Sequence, residues 1–418
     1  MITKIQTFLI IAISSLAFAC QKTPATTPDP EPGPEGAGTC VPITQPDEFI
    51  ILAWYEIIDI NADCLLDEIL DPSTEWRLNK LAEAGFNTYF DYRLDSLEEA
   101  EALLTLGDKT GMNMILECPE LHDPSTTEMA VRAMSSHTSL YAYNIDDEPE
   151  VSEFPLVTSR IKEIYKYDKD TPCYVNLLPN YAWDEWVEER YLETVRQYLK
   201  TVPVSFLSFD FYPVITNDDD ERTLRDAWYH NMEDIRTAAL EADIPIWAFA
   251  LAKPHARYPK PTLADLRLQQ FSNLVYGAVA FQYFTARTIV WKESVTEIYP
   301  YIKQVNEELK QMEDIFLGAD IKDIWHTGSE IPRGTRALTD CPAGISKLKT
   351  GDEGAVVSYF TNNGKQYIAI VNRSCTAETT LEIGFVGTAS QIAKNGTEIP
   401  VEAAYTIEAG DIMIFTWE

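Results

Sequence analysis

Residues 140–149 read LYAYNIDDEP, an apolar and aromatic run that ends in Asp146, Asp147, Glu148 and Pro149. A short run that is apolar on both faces is what a parallel strand buried beneath helices needs. The same unit recurs on either side. Toward the N-terminus lie 112–118 (MNMILEC), 86–92 (FNTYFDY) and 48–56 (EFIILAWYE). Toward the C-terminus lie 172–178 (PCYVNLL), 204–212 (VSFLSFDFY), 244–251 (IPIWAFAL) and 279–285 (VAFQYFT). Segments of helical period separate them, near 74–84, 96–110, 126–136, 151–168, 185–201, 221–242 and 262–276, with a last one at 298–316. In 74–84, Trp76, Leu78 and Leu81 share a face, and Asp71, Ser73 and Thr74 offer caps. Eight βα units over about 272 residues predict an α/β fold, a (β/α)8 TIM barrel spanning 48–319. An open doubly wound sheet is the competitor, but no Gly-rich phosphate loop follows the first run.

Near residue 320 the pattern changes. Short alternating runs at 354–360, 366–372, 380–386 and 411–417 are spaced by Gly-containing turns, and Asn363-Gly364 between two of them is a hairpin signal. A small all-β antiparallel sandwich is predicted for 320–418.

Composition narrows the partners. The 418 residues carry 33 Lys+Arg against 66 Asp+Glu, a formal net charge of −33. So negative a surface repels phosphate backbones, which excludes nucleic acid. The five histidines are scattered and no Cys-x-x-Cys spacing occurs, so neither a metal nor an organic cofactor is expected.

Residues 1–19 read as a signal peptide, with Lys4, an apolar run from Phe8 to Ile13, and Leu16-Ala17-Phe18-Ala19 before Cys20. That ending resembles the lipobox of bacterial lipoproteins, although Phe18 stands where a small residue is usual. The resemblance makes Cys20 the lipidated residue. The Pro-rich stretch 20–47 reads as anchor and semi-extended tether. An exported monomer, attached to the outer membrane only through its lipid, is the expectation. Of the remaining cysteines, Cys341 with Cys375 and Cys40 with Cys64 could pair, whereas Cys118 and Cys173 lie in apolar runs that suit buried thiols.

In a barrel the chemistry sits where strands finish. The eight ends carry Trp54, Tyr55 and Glu56; Asp91, Tyr92 and Arg93; Glu117; Asp146, Asp147 and Glu148; Asn176; Asp210 and Tyr212; Lys253; and Gln282, Tyr283 and Arg287. Carboxylates, amides and aromatic rings on one rim form the inventory of a carbohydrate site: acids move protons and rings stack on sugars. Glu148, Asp210 and Asp147 are the catalytic candidates. Trp54, Tyr55, Asp91, Glu117, Asn176, Tyr212, Lys253 and Gln282 are candidates for holding the glycan. Strand alternation would point Asp146 and Glu148 to one side and Asp147 to the other. A plainer reading exists for each: acids near Pro149 suit a helix N-terminus, Asp210 suits a turn cap, and the rings suit rim packing.

The segments 143–149 (YNIDDEP), 208–213 (SFDFYP) and 276–285 (YGAVAFQYFT), with the closing 409–413 (AGDIM), resemble the glycoside hydrolase-like barrel lipoproteins of Bacteroides-type bacteria. These are related to the clan A glycosidases. The resemblance implies a glycan substrate and makes Glu148, by position, the acid/base, with Asp147 where clan A carries Asn. Clan A places its nucleophile Glu at the seventh strand end, and residues 246–253 (IWAFALAK) contain no carboxylate. Chitinase-like barrels of family 18 and α-galactosidase-like barrels of clan D offer precedents with acids on strands four and six, which again pairs Glu148 or Asp147 with Asp210. Two functions are expected from this: an exported glycoside hydrolase, or a non-catalytic glycan-binding protein on a degenerate barrel. A carboxyl separation of roughly 5 Å would indicate retention, and roughly 6.5–9.5 Å inversion.

Overall fold

Each of the eight apolar runs forms a strand, being short, rich in aromatic and aliphatic side chains, and buried on both faces. The computed structural model describes residues 46–59, 61–62, 64–182 and 186–418. The strands are β1 (Ile50–Trp54), β2 (Thr88–Asp91), β3 (Asn113–Leu116), β4 (Leu140–Asp147), β5 (Cys173–Leu177), β6 (Leu207–Phe209), β7 (Ile246–Leu251) and β8 (Ala278–Phe284). They are parallel and close in chain order, with β8 returning to β1, so the sheet has no free edge. Ile50, Leu52, Trp54, Phe90, Ile115, Tyr174, Phe206 and Trp247 fill the interior. Ile51, Ala53, Tyr89, Met114 and Tyr143 turn outward to the helices. Inside, Trp54 stacks on Phe90 at 3.6 Å and Phe206 on Trp247 at 4.0 Å. The interior is thereby plugged, and a ligand must bind at an end.

The helices between the strands are α1 (Leu65–Leu70), α2 (Pro72–Glu83), α3 (Leu97–Thr110), α4 (Thr127–Met134), α5 (Phe154–Ile164), α6 (Tyr191–Thr201), α7 (Trp228–Ala242), α8 (Leu263–Val275) and α9 (Tyr299–Phe316). Asp71 caps α2 by accepting from Ser73 N, with Pro72 at the first position. Thr262 and Asp265 form a reciprocal capping box on α8. A helix expectation needs correction. The helix expected over 221–242 starts only at Trp228, because Arg222–Leu224 pairs antiparallel with Val214–Thr216. The short α1 is too brief for its period to register in the sequence.

The C-terminal region is a sandwich built from β9 (Asp320–His326), β10 (Ile345–Thr350), β11 (Ala355–Asn362), β12 (Lys365–Asn372), β13 (Thr379–Phe385), β14 (Ala389–Ile392), β15 (Glu398–Pro400), β16 (Ala404–Ile407) and β17 (Ile412–Trp417). One sheet runs β9-β11-β12-β17-β14-β15 and the other β10-β13-β16. Alternation along β11 sends Val356 and Phe360 into the core shared with the barrel helices, and Ala355 and Val357 toward the second sheet. A buried ion cluster fastens this region to the barrel: Arg267 of α8 meets Glu308 of α9 and Asp411, and Lys394 bonds both acids.

The same sheet explains a second correction. Cys341 packs against the core between the two sheets, whereas Cys375 lies in the core on the barrel side. The sheet stands between them, and both are free thiols. Cys64 is likewise free, and Cys40 lies outside the described residues. Cys118 and Cys173 are buried thiols.

At the β11–β12 hairpin Asn363 and Gly364 adopt φ of 49° and 78°, as a turn with two left-handed residues requires. Gly364→Ala should destabilise the fold by about 1 kcal/mol, because a Cβ disfavours that region. Space is not the obstacle, since nothing lies within 4 Å of an added Cβ. Urea unfolding would measure the difference.

Candidate active site

The site begins with an irregularity in β4. Tyr143 and Ile145 face the helix layer, and Ala142 faces the interior. Pairing with β5 shifts register between Asn144 and Asp146, which resets the alternation. Asp146 therefore turns outward to Arg160 of α5, 3.3 Å away, while Asp147 reaches the cavity at the barrel mouth. Glu148 takes a left-handed φ of 58°, with its N–H donating to the Asn176 carbonyl at 2.9 Å, and it enters the same cavity. The expected sorting of Asp146 with Glu148 against Asp147 is thus wrong, and the register shift is the reason. A non-glycine residue in this region costs about 1–2 kcal/mol, so the packing of β4 on β5 holds Glu148 in place against that strain.

Beneath the acids runs a polar relay. Tyr174 O–H donates to Gln282 Oε1 at 2.7 Å, and Gln282 Nε2 donates to Ser208 Oγ at 2.9 Å. Ser208 donates in turn to Asn176 Oδ1 at 2.9 Å. With its carbonyl oxygen held from below, the Asn176 amide must present its NH2 upward. That group donates to Asp210 Oδ1 at 3.3 Å and Asp147 Oδ1 at 3.4 Å. Gln282 is wholly buried within this relay and supports the floor without lining the cavity.

Asp210 follows β6 and is 7% exposed. Its carboxyl is hydrogen-bonded to that of Glu148. Two carboxyl groups bond in this way only when one carries a proton, so the pair shares one. Burial, then the charges of Glu148 and Asp147, hold Asp210 well above the usual carboxylate range. Burial also raises Glu148, while the hydrogen bond from Asp210 opposes the rise. Asp147 reaches solvent through the mouth but is crowded by protein on its other sides. That burial, and the charges of Glu148, Asp146 and Glu117, push it up to about 7. Burial and mutual charge therefore hold all three acids above the usual carboxylate range.

This has a consequence for stability. Asp147 is raised from 3.8 to about 7, so between those values the unfolded chain releases a proton that the folded chain keeps. Its contribution is fully present below pH 3.8 and is lost as pH rises through about 7. Asp147→Asn should leave the melting temperature unchanged near the bottom of that window and raise it above the top. Thermal melts at the two ends would show this, and an equal offset at both would contradict it.

The cavity measures about 260 Å³ and is walled by Trp54, Tyr55, Tyr212, Phe249, His255 and Phe284 around Asp147, Glu148, Asn176 and Asp210. Trp54, Tyr55, Asn176 and Tyr212 were legible as strand-end candidates. Phe249 and Phe284 read as strand core, and His255 lies in a loop with no motif to mark it. Arg93 stacks on Tyr55 at 4.6 Å, and Tyr181 and Tyr258 extend the aromatic rim past Phe211 and Tyr212.

Three candidates besides Gln282 do not line this cavity. Asp91 faces outward, is fully buried, accepts from Tyr89 O–H at 2.6 Å and pairs with Arg93 at 2.9 Å. It positions the arginine beneath Tyr55. Glu117 accepts from Asn144 and meets His122 Nε2 at 2.7 Å. Lys253 pairs with Glu56 at 3.2 Å in a neighbouring cavity. Among the described residues no group of three or more His, Cys, Asp or Glu is placed to hold a metal ion.

No protein-family model matches the chain, and no curated protein matches it in sequence. Solved structures match at fold level. A structure of Gas2 in complex with a small compound aligns at TM-score 0.46 and 15% identity, over 62% of this chain and 65% of that one. The chain thus spans slightly less than two thirds of that protein. An endo-1,4-beta-mannanase from Eisenia fetida aligns at TM-score 0.42 and 8% identity, over 63% of this chain and 91% of that one. A truncated 3-deoxy-D-arabino-heptulosonate 7-phosphate synthase from Thermotoga maritima aligns at TM-score 0.37 and 13% identity, over 64% and 87%. A mannanase and a synthase of different chemistry thus stand side by side among the structures matched, and likeness at this level carries no functional argument.

Proposed function

We propose that the chain is a glycoside hydrolase in which Glu148, sharing a proton with Asp210, acts as general acid on a glycosidic oxygen. The observation that carries this reading is the Glu148–Asp210 contact in a cavity walled by Trp54, Tyr55 and Tyr212. Glu148 is the less buried of the pair and faces the mouth, so it is the end that delivers the proton; Asp210 replenishes it. A leaving sugar takes the proton as the bond to the anomeric carbon breaks. The pair is in hydrogen-bond contact, closer than the roughly 5 Å of retaining or 6.5–9.5 Å of inverting carboxylates. No sugar fits between its members. The second role, base toward water or stabiliser of the anomeric centre, therefore falls to Asp147, the remaining carboxylate in the cavity, or to a group of the substrate.

The absence of a gap between the two acids also favours a second reading, a glycan-binding protein without catalysis. Incubation with a panel of oligosaccharides separates the two. Products that disappear with Glu148→Gln support hydrolysis, and binding without product supports the alternative. For residues 1–45, which lie outside the described residues, the reading is export followed by lipidation of Cys20. No described helix is long and apolar enough to cross a membrane. Incorporation of labelled fatty acid, lost on Cys20→Ser, tests that part.

A further inference from the structure

A second cavity, of about 590 Å³, lies beside the acid cluster and is lined by Glu56, Lys253, Lys260, Arg287, Trp291 and Glu297 among others. The two cavities share a wall. Tyr55 faces the first and Glu56 the second, and the Lys253 ammonium stands 5.6 Å from the ring of Phe284, which lines the first. The three cations outnumber the two carboxylates, in a chain whose net charge is −33. Lys253 is held by Glu56 and Lys260 by Glu297. Arg287 is different. Its guanidinium carbon lies over Trp291, 3.9 Å from the ring centroid, and among the described residues it has no carboxylate partner. Asp59, whose carboxylate senses Arg287, is hydrogen-bonded to Asn61 instead.

We propose that this cavity binds an anionic sugar residue, carrying a carboxylate or a sulfate ester, next to the glycan residue held at Glu148. A guanidinium with a free edge accepts either anion through two parallel hydrogen bonds, and stacking on Trp291 fixes its plane. The indole adds apolar surface for a sugar ring, and the volume is that of a small-ligand site. The negative field of the whole chain opposes a polyanion. The ligand is therefore an acidic residue set among neutral sugars, not a continuous polyuronate. The proposal rests on the reading above only in taking the ligand to be a sugar.

Titration of the full chain with glucuronate, glucose 6-sulfate and glucose, followed by NMR, tests it. One or both anionic sugars should bind at least as a measurable titration, with glucose markedly weaker; which anion binds identifies the group recognised. Arg287→Gln should weaken that binding by about 10- to 100-fold, the effect of losing charged hydrogen bonds. Arg287→Lys, which retains the charge without the fork, should fall between, and thermal melts would show both variants folded. Glu148→Gln should bind the anionic sugar as the parent does, so loss of cleavage and loss of this site are separable. Equal binding of glucose, no binding of either anion, or unchanged binding by Arg287→Gln would overturn the proposal.

Discussion

Glu148→Gln should reduce kcat on any glycan the protein cleaves by about 10²- to 10⁴-fold, the usual range for removing a positioned general acid. KM should change little, because the amide has the shape of the acid and keeps contact with Asp210. Asp210→Asn carries a different signature. With an amide in place of Asp210, the high upper ionisation that belongs to the pair is lost and Glu148 titrates alone. Its proton should leave at lower pH, so the alkaline limb of the pH–rate profile should move toward acid. A residue serving only to pack the cavity floor would lower the rate without moving the limb. Steady-state kinetics over a pH series measure both effects.

The second large effect concerns stability. Arg267 has a side chain 7% exposed and bonds Glu308, itself 9% exposed, with Asp411 3.4 Å away. Removing one member of a buried ion pair strands the other, at a cost of about 3–5 kcal/mol. Arg267→Ala should approach that range, moderated by Lys394, which reaches both acids. Because α8, α9 and the β12–β17 sheet meet here, unfolding should also become less cooperative between barrel and sandwich. The double change Arg267→Met with Glu308→Leu should recover much of the loss, since it removes both charges together. Urea unfolding of the three proteins checks this.

The barrel was legible because each of its strands is a short apolar run and segments of helical period separate them. The sandwich was legible from alternation and from Asn363-Gly364. What the sequence hid is short or tertiary in origin. The run from Arg222 to Leu224 reads as the start of a helix until Val214–Thr216 supplies its partner. In the site, residue types were correct at the strand ends, but direction was not. One register shift in β4 reversed the sorting of Asp146 and Asp147, and no local feature of YNIDDEP announces it. Asp91 looked free at a strand end, yet its parity sends it outward to Tyr89 and Arg93. His255 enters the cavity from a loop, where neither period nor motif could place it.

At issue above all is whether the Glu148–Asp210 pair breaks a glycosidic bond. Mass spectrometry of a glycan panel incubated with the protein in heavy-oxygen water tests it most directly. Cleavage should place one heavy oxygen at each newly formed reducing end, read before anomeric exchange with solvent, and labelled product should form about 10²-fold or more slowly when Glu148 is Gln. Glycans recovered intact from a protein that demonstrably binds them, or labelled product formed as fast by Glu148→Gln as by the parent, would contradict it.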